Sequence, residues 1–255
     1  MKSKGHEDMV LKLNKALYEL KQASRAWYSC IDGYFLKNRL VKCPHDYAIY
    51  VKIKEIGDTF IVCLYVDDLI FTRNNLKIFG NLKQAMIKEF EMMNIGLMTY
   101  YLGTEIKQGE DEIFVKQEKF IKEILKKFKM KDCAKMNTLV ECEVKISKNN
   151  EGEKINSTTF KSLVGILKYL TSTCPDIIFG VELVSRFIET LTTTHFKALK
   201  RILRYIKGTV YFSLFYGYSN SFELISYNDS NWAEDMDDRK SIASFVFHMR
   251  DTTFT

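Results

Sequence analysis

Hydrophobic positions in this chain follow two periods in turn, and the changes of period mark its elements. From Ala23 to about Asn38 they recur at helical spacing, with Trp27, Ile31, Tyr34 and Phe35 on or near one face. "YAIYVKI" (47–53) and "TFIVCLYV" (59–66) read as strands joined by the polar "KEIGD". The second of them reads as buried on both faces. Another short strand follows Asp67 and Asp68, and a helix from about Leu76 to Glu91 spaces Leu82, Met86 and Phe90 four apart. "TYYLGTEIKQ" (99–108) and "EIFVKQ" (112–117) form a further hairpin around "GED", and Val10–Leu13 reads as a short strand ahead of them all.

The second half has a different character. Residues 117–131 read as a basic amphipathic helix whose packed stripe is Phe120, Ile124 and Phe128. Residues 141–158 are polar and turn-rich, the best candidate for a linker. Helices near 158–173 and 176–189 are separated by "CPD", and a third runs from about His195 to Lys207 with Gly208 at the expected C-cap. Strands return at Val210–Tyr216 and Phe222–Tyr227, an acidic loop spans 234–238, and a last strand lies near Ala243–His248. The predicted class is α+β.

Composition narrows the picture. With 255 residues, 46% of them hydrophobic, the chain can bury a sizeable core in one or two domains. Two prolines and twelve glycines argue against long low-complexity tracts. The six cysteines form no CxxC pair and the four histidines are scattered, which argues against a structural zinc site and for reduced thiols inside a cell. No apolar run approaches a membrane span, so no membrane partner is expected. A net charge of +6 leans only modestly toward an anionic partner.

The chemistry concentrates at Asp67 and Asp68, placed between two apolar runs. Buried carboxylates are costly unless paired or metal-bound, and two side by side repel unless a cation intervenes. At a hairpin tip they make hard oxygen ligands for Mg²⁺, which completes its shell with water and substrate phosphates. Aspartate is also ordinary turn chemistry, so the dipeptide alone favours a solvated turn, and the apolar runs on both sides bring the two readings level.

At "LYVDDLIFT" the sequence resembles the reverse transcriptases of copia-type retrotransposons, and the resemblance runs from about Val10 to Thr255. "LKLNKALYELKQASRAWY" is similar to the segment leading into the palm helix, and "YYLGTEI" to the primer-grip strand pair. "SLVGILKYLTSTCPDIIFGVELVSRF" and "HFKALKRILRYIKGT" resemble the helical region after the thumb, and "ISYNDSNWAEDMDDRKSIASFVF" the opening hairpin of ribonuclease H. The resemblance implies a partial palm with the primer-grip-like strands over 1–115 and a thumb-like basic region over 116–140. A linker at 141–158, a helical connection region at 159–218 and a truncated ribonuclease H-like hairpin at 219–255 would follow. It implies that Asp67 and Asp68 are catalytic metal ligands, with Asp229 the first ribonuclease H carboxylate. Tyr65, Val66, Leu102 and Gly103 would meet the primer, and Gln22, flanked by Lys21 and Arg25, the incoming nucleotide. Mg²⁺, a primer–template and a dNTP are the implied cofactor and partners, in the cytoplasm or a virus-like particle.

Departures from the family pattern are visible. Glu19 stands where glycine is usual, Ser24 where proline is, Asn231 where aspartate is and Glu234 where glycine is. The family's third palm aspartate, on an upstream strand, the fingers and the remaining ribonuclease H carboxylates have no counterpart among these residues. Asp8, Asp32 and Asp46 lie in the wrong contexts. An internal Pol piece, inactive alone and binding Mg²⁺ weakly, is therefore expected. Two basic helices suit a phosphate backbone: Lys122, Lys126 and Lys129 in the first, Lys200 and Arg204 in the second. The competing readings are a non-catalytic nucleic-acid-binding remnant and an unselected transposon relic.

Overall fold

In a computed structural model of the chain, described over residues 19–53, 57–74, 76–90, 92–140, 147, 157–189, 191–218, 223–231, 242–249 and 252–254, the backbone forms two compact units, Met1–Gly96 and Leu97–Thr255. Helices and antiparallel sheets alternate in both, the α+β class expected. Val10–Leu13, most of the proposed linker and the acidic loop at 234–238 lie outside the described residues. Among the described residues no helix is long and apolar enough to cross a membrane.

The first unit sets helix α1 (Ala23–Lys37) and helix α2 (Leu76–Phe90) with a four-stranded sheet. The strands are β1 (Val41–Lys42), β2 (Ile49–Ile53), β3 (Thr59–Tyr65) and β4 (Asp68–Arg73), paired in that order. Apolar periodicity places Ile31 and Phe35 of α1 in one buried cluster with Tyr50, Phe60, Val62, Leu64 and Met86. Strand β3 alternates: Phe60, Val62 and Leu64 are buried, while Ile61 and Cys63 are half-covered. The expectation of burial on both faces is corrected to one buried and one partly covered face, which a sheet lined mainly on one side requires.

Helix α1 ends without glycine. The Leu40 N–H donates to the Phe35 carbonyl at 3.0 Å and the Arg39 N–H to Leu36 at 3.0 Å, the paired bonds of a Schellman motif, with Arg39 at φ +62. Leu40 and Phe35, both buried, supply its apolar contact.

The second unit has a sheet of β5 (Tyr100–Tyr101), β6 (Thr104–Gln108), β7 (Glu112–Lys116) and β8 (Leu214–Gly217). What read as one strand over 99–108 is broken at Leu102–Gly103, where both residues have positive φ (+47 and +78) and Tyr101 pairs with Thr104. That is a two-residue type I′ hairpin, which needs a left-handed backbone at both positions. Pairing of β7 with β8 draws these strands into the second unit, whereas the sequence grouped them with residues 1–115.

Helices α3 (Glu118–Lys127), α4 (Ser157–Leu170), α5 (Ile178–Ser185) and α6 (Thr193–Gly208) share one core. Helix α3 stops four residues before the expected 131, again in a Schellman motif: Met130 N–H to Leu125 at 2.7 Å, Lys129 N–H to Lys126 at 3.1 Å, and Lys129 at φ +56. Its buried stripe is Ile121, Ile124 and Leu125, with Phe120 and Phe128 only half-covered, so the packed face is rotated from the one expected. Helix α6 runs through Gly208 to a C-cap at Thr209 and starts in a capping box of Thr192 and His195. Gly208 is helical and is not the stop expected. A second sheet, β9 (Leu224–Asn231), β10 (Ile242–Met249) and β11 (Thr252–Phe254), closes the unit, and β11 has no counterpart in the sequence reading.

Candidate functional site

The Asp67–Asp68 pair stands at the tip of the β3–β4 hairpin. Tyr65 and Asp68 face each other in register, so Val66 and Asp67 form the turn, and all four side chains are exposed. Val66 has φ +54, an uncommon conformation for a β-branched residue and one that neighbours must hold. The Trp27 indole N–H provides a hold, donating to the Val66 carbonyl at 2.7 Å. Trp27 in turn packs edge-on against Phe90, with centroids 5.3 Å apart. The turn is thus fixed by a side chain of α1 and not by its own sequence.

The same helix carries the proposed nucleotide contacts. Gln22 is its N-cap, and Lys21, Gln22 and Arg25 are exposed in the turns preceding Trp27. Farther along, Asp32 is tied into the fold. It pairs with the Lys42 ammonium at 2.7 Å and accepts from the Tyr50 hydroxyl at 2.6 Å. Lys42 lies over the Tyr28, Tyr47 and Tyr50 rings. Its hydrogen bond holds the Asp32 carboxyl below the usual carboxylate range, aided by Tyr50. Asp32 is thus taken up by Lys42 and Tyr50 within the fold.

The donor set at the tip suits Mg²⁺. Asp67 and Asp68 are adjacent, exposed carboxylates, and neither is in an ion pair among the described residues. One or two carboxylates with the rest of the shell left to water and phosphates is the pattern Mg²⁺ favours. Among the described residues no group of three or more metal-ligating side chains occurs.

Within the second unit, Leu102 is exposed at the β5–β6 turn, and Gly103 is approached on its Cα side by the Tyr169 hydroxyl of α4. A Cβ there would lie 2.9 Å from that oxygen, so the close backbone approach the glycine allows is used by Tyr169. Asp229 lies in β9 opposite Ser244. Lys122 and Lys126 are exposed on α3, but Lys129 sits beyond its end in the left-handed cap. Glu118 accepts from Lys116 and Lys122 at 2.5 and 2.6 Å, which lowers its carboxyl to about 2.

Helix α6 is less open than its charge suggested. Arg201 donates to the Thr138 hydroxyl at 2.8 Å and to its carbonyl at 3.3 Å, and Lys207 donates to the Cys133 carbonyl at 2.5 Å. Arg204 is half-buried, whereas Lys200 is exposed and lies over the Phe196 ring. Arg201 and Lys207 hold the 131–140 segment on the helix, so this face is only partly available to phosphate.

The family described as reverse transcriptase (RNA-dependent DNA polymerase) matches residues 1–142, and the chain belongs to it. Among its relatives is the retrovirus-related Pol polyprotein from transposon TNT 1-94 of Nicotiana tabacum, 34% identical over 95% of this chain and 19% of that protein. The corresponding polyprotein from transposon RE1 of Arabidopsis thaliana is 32% identical over 96% of the chain and 17% of its own length. The chain thus spans less than a fifth of these polyproteins, and its copia-type kinship follows from them. An uncharacterized mitochondrial protein of Arabidopsis thaliana, 32% identical, covers 71% of the chain and is itself covered over 75%. No solved structure matches.

Proposed function

We propose that this chain is the palm-to-thumb part of a retrotransposon RNA-directed DNA polymerase, with Asp67 and Asp68 as palm carboxylates. The observation that carries the reading is the hairpin tip: two exposed carboxylates follow a left-handed Val66 held by Trp27. In this reading unit one is part of the palm, β5 and β6 form the primer grip, α3 begins the thumb, 159–218 is the connection and β9–β11 begin a ribonuclease H-like domain bearing Asp229.

Each residue then has a role. Asp67 and Asp68 would hold Mg²⁺, which when bound supplies charge stabilisation to the attacking and leaving oxygens of nucleotidyl transfer. Tyr65 and Val66 present the exposed tip to the primer end, and Trp27 keeps that tip in one conformation. Gln22, Lys21 and Arg25 offer polar and cationic contacts to a nucleotide, and Leu102 with Gly103 to the primer. Lys122 and Lys126 neutralise backbone phosphates without reading sequence. In this reading Asp67 and Asp68 supply two of the palm carboxylates, and the basic face of α3 holds a primer–template.

The test is a chimera in which this chain replaces the matching stretch of the tobacco polyprotein, assayed for primer extension beside the unmodified polyprotein. Extension that disappears in Asp67→Asn and Asp68→Asn supports the reading. Extension that survives both substitutions refutes it, and so does a chimera that fails where the unmodified polyprotein succeeds.

A further inference from the structure

A cleft of about 500 Å³ opens in the second unit beside the β5–β6 turn, lined by Tyr100, Glu105, Lys107, Lys116, Lys119 and Tyr211 among others. Its size lies within the usual range of small-ligand sites, roughly 300–1,000 Å³. Its charges are not balanced. Glu105 accepts the backbone N–H of Lys119 at 2.8 Å, so its carboxylate serves the start of α3. Lys116 is paired with Glu118 at 2.5 Å. Lys107 and Lys119 are exposed, and among the described residues neither is in an ion pair. Tyr100 and Tyr211 are 56% and 69% exposed, far more than tyrosines that serve a core. The Lys119 ammonium lies 6.0 Å from the Tyr100 ring centre and the Lys122 ammonium 5.5 Å from that of Tyr211, so each ring stands next to a cation.

Exposed aromatic faces beside cations, the unpaired Lys119 at Tyr100 and the Glu118-paired Lys122 at Tyr211, suit a ligand that joins a flat π-system to an anion. A nucleotide has that chemistry, because the base stacks on a tyrosine while the phosphate meets the ammonium groups. We propose that this cleft binds an unpaired nucleotide, with Tyr100 or Tyr211 as its stacking surface and Lys107 and Lys119 as its phosphate contacts. The inference rests on the nucleic-acid reading above and goes beyond it, since a paired duplex presents no free base face to a cleft. The same chemistry is offered by the unpaired end of a strand and by a free nucleotide.

The experiment measures fluorescence anisotropy of the full chain with a labelled twelve-nucleotide oligothymidylate and, separately, with a labelled primer–template duplex. ATP is added as competitor in a further arm. Tyr100→Ala together with Tyr211→Ala should weaken oligothymidylate binding about tenfold or more, in keeping with roughly 1–3 kcal/mol per stacked base. The double Tyr→Phe variant should keep wild-type affinity, because the ring and not the hydroxyl stacks. Lys107→Ala with Lys119→Ala should flatten the log–log salt slope for the single strand by roughly 0.7 per lost contact. Displacement by micromolar ATP would identify a free-nucleotide site, and resistance to ATP a strand site; either supports the cleft. Unchanged single-strand affinity in the double alanine variant overturns the inference while leaving duplex binding standing. Binding of neither nucleic acid overturns this inference and the nucleic-acid reading together.

Discussion

Replacing Gly103 by alanine tests the second unit where backbone and packing meet. The residue has φ +78, and an added Cβ would sit 2.9 Å from the Tyr169 hydroxyl oxygen. A left-handed conformation costs an L-residue about 1–2 kcal/mol, and the loss of glycine's freedom in the unfolded chain returns about 0.5–1, leaving a net backbone cost of about 0.5–1 kcal/mol. The crowding adds about 1 kcal/mol, the low end for overpacking, since a side chain can give way more cheaply than backbone. Gly103→Ala should therefore destabilise by about 1.5–2 kcal/mol in all. Tyr169→Phe removes the obstructing oxygen and leaves ring carbons at 3.7 Å, an ordinary contact. In that background the alanine should cost only the backbone part, so the coupling between the two sites should be about 1 kcal/mol. Urea unfolding followed by far-ultraviolet circular dichroism on the four proteins of the cycle gives the number. An equal cost of Gly103→Ala with tyrosine and with phenylalanine would refute the close approach, and no cost in either would refute the left-handed turn.

Four further outcomes follow from the same structure. Asp67→Asn should change stability by less than about 0.5 kcal/mol, as for other exposed substitutions without a partner, whatever it does to extension in the chimera; urea midpoints check this. Glu118 has its folded pKa lowered to about 2 by Lys116 and then Lys122, so the stability it contributes is present above its ordinary carboxylate pKa and is lost as pH falls toward 2. The midpoint difference between wild type and Glu118→Gln should accordingly be largest near neutrality and shrink below pH 4.5, and a difference independent of pH would refute the pairing. Lys129→Gly and Glu19→Gly, at φ +56 and +72, should each stabilise by about 0.5–1 kcal/mol through relief of left-handed strain, a loss of stability counting against the described backbone. Burial pushes the Cys174 thiol up to about 11, so in native protein it should react with iodoacetamide at pH 8 far more slowly than exposed Cys30, as mass spectrometry would show.

What the sequence disclosed and what it hid divide along physical lines. The hairpin at Asp67–Asp68 was legible from the apolar runs on both sides, although the turn itself is Val66–Asp67 and Asp68 already opens β4. Helix α1 was legible because Ile31 and Phe35 keep its period. The hold of Trp27 on Val66 was not: a tryptophan at core spacing looks the same whether or not its indole N–H reaches a carbonyl on another element. The ends of α1 and α3 were hidden because Arg39 and Lys129 occupy cap positions usually taken by glycine, while Gly208, read as a stop, is helical. Exposure of Tyr100 and Tyr211 is set by tertiary packing, and the sequence reading assigned no aromatic to base stacking. Glu19 is the reverse case. This departure from the usual glycine falls on a residue with φ +72, which explains why glycine suits that position.

The bond from Trp27 to Val66 also makes the hairpin tip optically readable. The chain has two tryptophans, and Trp232→Phe leaves Trp27 as the single indole emitter. Its N–H is committed to the carbonyl next to Asp67, so its excited-state dipole sits in the local field of that turn. A cation arriving at the carboxylates, or a strand end pressing on Tyr65 and Val66, alters that field and the strength of the bond. Either event should move the emission maximum or its lifetime without any attached label. Occupancy of the tip could then be followed in real time on millisecond mixing, separately from binding anywhere else on the chain.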